Sequence, residues 1–184
     1  LRRIGLVILS AWLCFAVLVT GFSHTNEAFA QQRTITDTVQ FRLVSAVDFK
    51  PLSNARVIVV GQNGRLLGTG LTNNEGTWST RVTVPLDPRF KDIGVVTAIC
   101  VANGHNENVV FEVPVKQGTI QPVTLYPIKP KLRNEASATL GQLHHLDVID
   151  IVNKYAQQVG LTKQRAVAGE LGYAPWGPTA RQGR

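Results

Sequence analysis

The run ARVIVV, Ala55 to Val60, passes at once into Gly61-Gln62-Asn63-Gly64 and then into LLGTGLT. Asn-Gly between two apolar, β-branched runs turns a chain back on itself, because both residues tolerate a left-handed backbone. A continuous helix through this region is excluded. The same punctuation recurs along the chain. Asn73-Asn74-Glu75-Gly76 precedes TWSTRVTV, and Asn103-Gly104-His105-Asn106 ends the apolar run from Ile93 to Ala102. Asn108 to Val115 and Ile120 to Tyr126 read as two more strands. Upstream, Thr34 to Val47 places Val39, Phe41, Leu43 and Ser45 on one face. In TWSTRVTV, alternation puts Trp78, Thr80, Val82 and Val84 together. Pro85 to Lys91 reads as a longer loop. Seven short strands with a turn between each pair predict an all-β fold, a small antiparallel seven-stranded Ig-like sandwich.

The pattern changes after Tyr126. Pro127, Pro130 and neighbouring lysines read as a linker over residues 127–141, and the sandwich proper spans 34–126. Helical spacing then begins, with a helix expected from about Gln142 to Val159 inside an extension of residues 142–172. Leu143, Leu146, Ile149, Val152, Ala156 and Val159 form one apolar stripe, the expected interaction face. Gly160 stops this helix, and Thr162 caps a second, short one. Residues 173–184, rich in Gly, Pro and Arg and including Trp176, read as a disordered tail.

The N-terminus carries an address. Arg2-Arg3, an apolar run from Ile4 to Val19 and Ala28-Phe29-Ala30 match a secretory signal peptide over residues 1–30. The rival reading is a retained anchor. The bulky Trp12-Leu13 before Cys14 argues against lipidation. With the signal removed Cys100 is the remaining cysteine, so no internal disulfide forms and a buried, inert thiol is expected. No stable membrane span is expected after removal. The chain of 184 residues has a net charge of +7. Its charges are scattered, which fits ordinary solubility and leaves an anionic wall polymer as a candidate partner.

Gly68, Gly70 and Gly76 do not make a phosphate loop, since neither GxxxxGK[ST] nor GxGxxG before a helix is present. With Glu75 the sole acid, they do not make a calcium loop either. Gly64, Gly68, Gly76 and Trp78 are therefore expected to have turn and structural roles, with Gly64 and Gly76 at positive φ. The order Pro51-Leu52, Ala55, Val57, Val59, Gly64, Gly68-Thr69, Thr72-Asn73, Gly76, Trp78 resembles the carboxypeptidase regulatory-like, or transthyretin-like, domain family. Val101-Ala102-Asn103-Gly104-His105 is similar to its strand plus Gly-Tyr step, with His105 in place of Tyr. The resemblance covers roughly residues 37–126. It implies a β-sandwich that serves as a folding, adhesion or accessory module. The family's purine-pathway hydrolase branch has two histidines, an arginine and a Tyr-Arg-Gly-Ser end. This chain lacks that end and has His105 as the one histidine of its strand region.

His144, His145, Asp147 and Asp150 are the weak candidates for a metal site, because three-residue spacing on a helix shares a face. No HExxH motif is present and no cysteine joins them, so the expectation is no metal and no cofactor. YAQQVGLTKQRAVAGELGY mimics a helix-turn-helix, with Lys163, Gln164 and Arg165 opening the recognition helix. Export argues against a nucleic-acid partner. No GxSxG is present. Two tryptophans beyond the signal are too few for an aromatic sugar platform. The expectation is an exported, non-enzymatic structural or protein-binding module, secreted or in the cell envelope, that meets a protein partner or a second copy through the C-terminal helix. A wall-polymer or carbohydrate-binding module and a metal-assisted enzyme at His144 are the alternatives.

Overall fold

The computed structural model describes residues 33–164 and 174–180. The signal segment and Cys14 lie outside the described residues, as do 165–173 and 181–184. None of the described helices is long and apolar enough to cross a membrane.

Eight strands build two facing sheets. They are β1 (Thr34–Ser45), β2 (Arg56–Gly61), β3 (Leu66–Leu71), β4 (Thr77–Pro85), β5 (Gly94–Val101), β6 (Asn108–Val115), β7 (Thr119–Leu125) and β8 (Ser137–Leu140). One sheet has the order β4-β1-β7 and the other β3-β2-β5-β6-β8. The fold is thus an all-β sandwich. Two details differ from the sequence reading. The sheets are not purely antiparallel, because β7 runs parallel to β1 and β8 parallel to β6. An eighth strand also lies inside the stretch read as linker. Ala138, Thr139 and Leu140 of β8 are all exposed, so no buried face marks the strand in sequence; backbone pairing with β6 alone defines it.

The core follows the period of two. Val39, Phe41 and Leu43 of β1 and Leu125 of β7 are fully buried and share one core with Val57, Val59, Val110 and Val113 of the facing sheet. Phe41 stacks on Trp78 at 6.2 Å between ring centres. Cys100 is fully buried, and burial pushes its thiol up to about 12. It therefore stays protonated and unreactive at neutral pH.

Beyond the sandwich lie α1 (His145–Gln158), β9 (Leu161–Lys163) and β10 (Trp176–Ala180). The helix is shorter than the expected Gln142–Val159, and Leu143 precedes it. Thr162 lies in a strand and not at a helix cap: Gly160, at φ 70°, ends α1, and residues 161–163 pair with β10 instead; the rest of the stretch expected as a second helix lies outside the described residues. Residues 176–180 of the tail read as disordered are therefore a strand. Trp176 donates from Nε1 to Asn153 Oδ1 at 2.9 Å and so ties the hairpin to α1.

One polar cluster joins two loops to β6. Asp87, 3% exposed, accepts from the backbone N, Nε and Nη2 of Arg89 at 2.8–2.9 Å and from Gln62 Nε2 at 3.3 Å. Arg89 also donates to Glu112 at 2.9 Å. Arg89 holds the Asp87 carboxyl below the usual carboxylate range, against the opposing effect of burial. A carboxylate depressed on folding stabilises above its unfolded pKa of about 3.9, and the gain fades as pH falls through the lower folded value. Asp87→Asn should cost about 1–2 kcal/mol at pH 7, allowing for the solvent that reaches Arg89. Urea melts at pH 7 and pH 3 check this: the gap between wild type and variant should narrow in acid.

Candidate interaction surfaces

The stretch from Gly61 to Trp78 is built for geometry. Gly64 N donates to Gly61 O and Gly61 N to Arg65 O, both at 2.9 Å, closing the hairpin between β2 and β3. Gly64 has φ 77°, and an added Cβ would meet nothing within 4 Å. Gly76 has φ 69° and far less room, since its Cβ would lie 2.5 Å from Leu43 O and 3.0 Å from Leu52 N. Asn73 Oδ1 accepts from the backbone of Glu75 and of Thr77 and from the Thr77 hydroxyl, at 2.9–3.0 Å, shaping the turn before β4. Thr72, buried, donates to Leu52 O at 2.5 Å and accepts from Ala55 N at 2.9 Å. Sequence reading missed this role of Thr72, although the Thr-Asn-x-x-Gly order signals it.

Gly68 and Gly70 have a different function from the turn glycines. Both lie within β3, where a Cβ at Gly70 would sit 2.0 Å from Trp78 Nε1 and one at Gly68 would sit 2.9 Å from Thr80 Oγ1. Trp78 and Thr80 of β4 therefore lie across bare backbone.

His144, His145, Asp147 and Asp150 do not converge on a common point. His144 is the N-cap of α1: its Nδ1 accepts from Leu146 N at 3.3 Å, and Asp147 returns the bond by accepting from His144 N at 3.0 Å. This is a capping box with histidine in the usual Ser/Thr place. Asp147 also pairs with Lys116 at the end of β6. The His145 ring packs on that of His144, 4.2 Å between centres. Asp150 borders the cavity of about 500 Å³ lined by Phe90, Lys91, Lys116 and Asp147. No group of three or more His, Cys, Asp or Glu side chains suited to a metal gathers among the described residues. The helix-turn-helix likeness fails at Lys163 and Gln164, which belong to the β9–β10 hairpin; Gln164 N donates to Pro175 O at 2.8 Å. Arg165 lies outside the described residues.

The apolar stripe of α1 divides. Ala156 is buried and Ile149 half-buried, while Leu146, Val152 and Val159 are 57%, 39% and 64% exposed. The reason is geometric: each three-residue step falls about 60° short of a full turn, so the row 146-149-152 slides around the helix. The outward row is instead Val148, Val152, Tyr155 and Val159, spaced four, three and four apart. α1 reaches the sandwich through polar ties, Asp147 to Lys116 and Lys154 Nζ to Pro88 O at 2.6 Å.

A second apolar surface lies on the outside of the five-stranded sheet. Register places Ile58, Ile99 and Val109 in one outward row and Leu66, Val60, Thr97, Phe111 and Leu140 in the next. Leu66, Phe111 and Leu140 are 58%, 46% and 71% exposed. The outer face of the three-stranded sheet is mainly polar by contrast: Thr36, Thr38, Arg42, Ser79, Arg81 and Thr83 are all exposed, and its apolar exposure is at Ile120 and Pro122 on the edge strand β7.

No family model and no curated protein matches the chain. Among solved structures the chain is similar to the Bacillus anthracis TIE protein, at 18% identity over 51% of this chain and 18% of that one, with a TM-score of 0.41. It is also similar to catechol 1,2-dioxygenase from Acinetobacter sp. ADP1, at 11% identity over 59% of this chain and 60% of that one, TM-score 0.35. A third is the dioxygenase domain of a dioxygenase carbohydrate-binding protein fusion from Streptomyces sp. SirexAA-E, at 11% identity over 62% and 84%, TM-score 0.34. These likenesses assign no role to any residue here.

The glycine geometry generates an ordered set of stabilities. Gly64→Ala should cost about 1 kcal/mol, from φ alone. Gly76→Ala should cost more, because backbone must also move. Gly70→Ala should displace the Trp78 indole and shift its fluorescence. Chemical denaturation of the three variants, read by that emission, checks the order; a Gly76 variant as stable as the Gly64 variant would contradict it.

Proposed function

We propose that this chain is an exported, non-enzymatic protein-binding module of the cell envelope, built on a transthyretin-like sandwich, and that α1 is its contact element. The outward row Val148, Val152, Tyr155 and Val159 carries the proposal. An exposed row at helical spacing on an element tied down by polar contacts is a surface that gains by being covered. The length of the row selects the kind of partner. From Val148 to Val159 is about 17 Å of helix. Two such helices laid side by side bury well under the roughly 1,200 Å² of a stable interface. A partner protein with an apolar groove that wraps the row supplies more area, in the helix-in-groove manner. Export is supported by Arg2-Arg3, the Ile4–Val19 run and Ala28-Phe29-Ala30. The non-enzymatic reading is supported by the work of the candidate groups: His144 caps, Asp147 pairs, and Asp87 and Arg89 hold loops.

Two measurements test the proposal. Val148→Asp with Val152→Asp alters exposed positions, so the melt should move by no more than about 0.5 kcal/mol. Crosslinked capture from the native envelope should then lose the partner recovered with wild type. An identical captured set would overturn the role of α1. Elemental analysis of protein purified without added metal addresses the enzyme alternative: one stoichiometric metal ion, lost on His144→Ala, would overturn the non-enzymatic reading.

A further inference from the structure

We propose that the outer face of the five-stranded sheet is a homodimer interface, in which two copies stack face to face about a twofold axis running along β5. The proposal does not rest on α1 or on the partner assigned to it.

Three observations carry it. The first is contrast within one molecule: one sheet turns mainly Thr, Ser and Arg outward, with Ile120 and Pro122 confined to its edge strand β7, and the other turns Ile58, Val60, Ile99, Val109, Phe111 and Leu140 outward across its central strands and edge. Sheets with one solvated face alternate apolar-in and polar-out. Apart from Thr69 and Thr97, the five-stranded sheet is apolar on both faces in the rows of Ile58 and Val60, as a sheet covered on both sides is. The second is size. Five strands at about 4.8 Å and three outward rows at about 6.7 Å make a footprint of about 24 by 20 Å. Two such faces bury about 1,000 Å² in projection, with the rim still to add, which is the small end of specific interfaces. A reversible dimer is expected.

The third is charge, and it selects the occupant. The face carries two charged residues, both exposed: Arg56 on β2, and Glu107, which extends β6 by one residue. Neither has an ion-pair partner among the described residues. Cys100 pairs with Asn108, so Glu107 falls in the row of Val101, the partner of Arg56. Arg56 and Glu107 thus occupy one row, on the strands either side of β5. A twofold along β5 keeps rows and exchanges β2 with β6. It sets Arg56 of each copy against Glu107 of the other, Ile58 against Val109, Val60 against Phe111, and Ile99 on itself. A twofold across the strands would set Arg56 against Val60 and leave the charge unpaired on an apolar side chain. The self-complementary arrangement is the one an isologous interface requires.

Sedimentation velocity of protein produced from the full chain tests this, over about 1–100 µM. A reversible monomer–dimer equilibrium is expected. Arg56→Glu alone and Glu107→Arg alone should each weaken it about tenfold, since each places like charges together twice per dimer. The double charge swap should restore it, and that rescue also shows that the single variants fold. Ile99→Lys, at the axis, should abolish the dimer, while Val148→Asp with Val152→Asp should leave it intact. A monomer throughout the range would overturn the proposal, whether or not it co-floats with phosphatidylcholine vesicles. So would a dimer indifferent to Ile99→Lys, or single reversals that the swap fails to rescue. A dimer lost with the α1 variants alone would overturn this face, and would also place self-association on the helix.

Discussion

The Trp78 indole lies on the bare backbone of Gly70, and the sandwich depends on that contact. β3 edges one sheet and β4 edges the other, and the chain crosses between them in the few residues from Thr72 to Gly76. At such a corner, side chains on both strands would compete for one space. Gly68 and Gly70 give up theirs, and Trp78 and Thr80 fill it. Trp78 then reaches Phe41 at the centre of β1, which is paired with β4 on one side and β7 on the other. Leu43 N donates to Gly76 O at 2.8 Å, so the crossing is tied to the same strand. The corner, the turn and the core strand form one unit, and the register of the three-stranded sheet follows from it.

How much of this was legible depends on what kind of force wrote it. Strands with a buried face were legible, because alternation is imposed by burial: Val39, Phe41 and Leu43 lie inward, as do Trp78, Val82 and Val84. Asn108–Val115 is a strand with the bounds its composition suggests. β8 was not legible, since pairing with β6 uses backbone groups that every residue carries. The β9–β10 hairpin was hidden for a related reason. Leu161-Thr162-Lys163 is neutral between helix and strand, and the hydrogen bonds of Gln164 to Trp176, twelve residues on, and to Pro175 decide the matter. Among the candidate site residues, the types were visible and the tasks were not. His144 and Asp147 suggest a ligand pair by spacing, yet the same spacing is that of a capping box. The glycines divided likewise: Gly64 and Gly76 turn the chain with φ above zero, whereas Gly68 and Gly70 make room for neighbours that no local pattern reveals.

Asp87 and Arg89 show how one polar cluster orders distant surfaces. β6 carries a bulge opposite Thr97, where Glu112 takes φ 56°. Bulges of this kind re-aim the side chains beside them. Arg89 holds Glu112, and Phe111 next to it points outward onto the apolar sheet face. The same loop offers Pro88 O to Lys154 of α1. The proposed dimer face and the proposed helical contact are thus both braced by residues 87–89, without sharing any residue of their own.

That separation has a physical basis in how each surface is supported. The sheet face is the back of the core: Val57, Val59, Ala98 and Cys100 are fully buried on one side of the strands that carry Ile58 and Ile99 on the other. A rigid and extended surface of this kind suits a second rigid surface of the same shape. α1 contributes Ala156 and part of Ile149 to buried structure and otherwise stands on one ion pair and hydrogen bonds. Polar ties at its two flanks fix its direction while leaving the row between them open. A narrow ridge of that sort suits a groove. The two apolar surfaces of this chain are therefore not interchangeable, and the difference between a sheet face and a ridge is what separates the proposed dimer contact from the proposed partner contact.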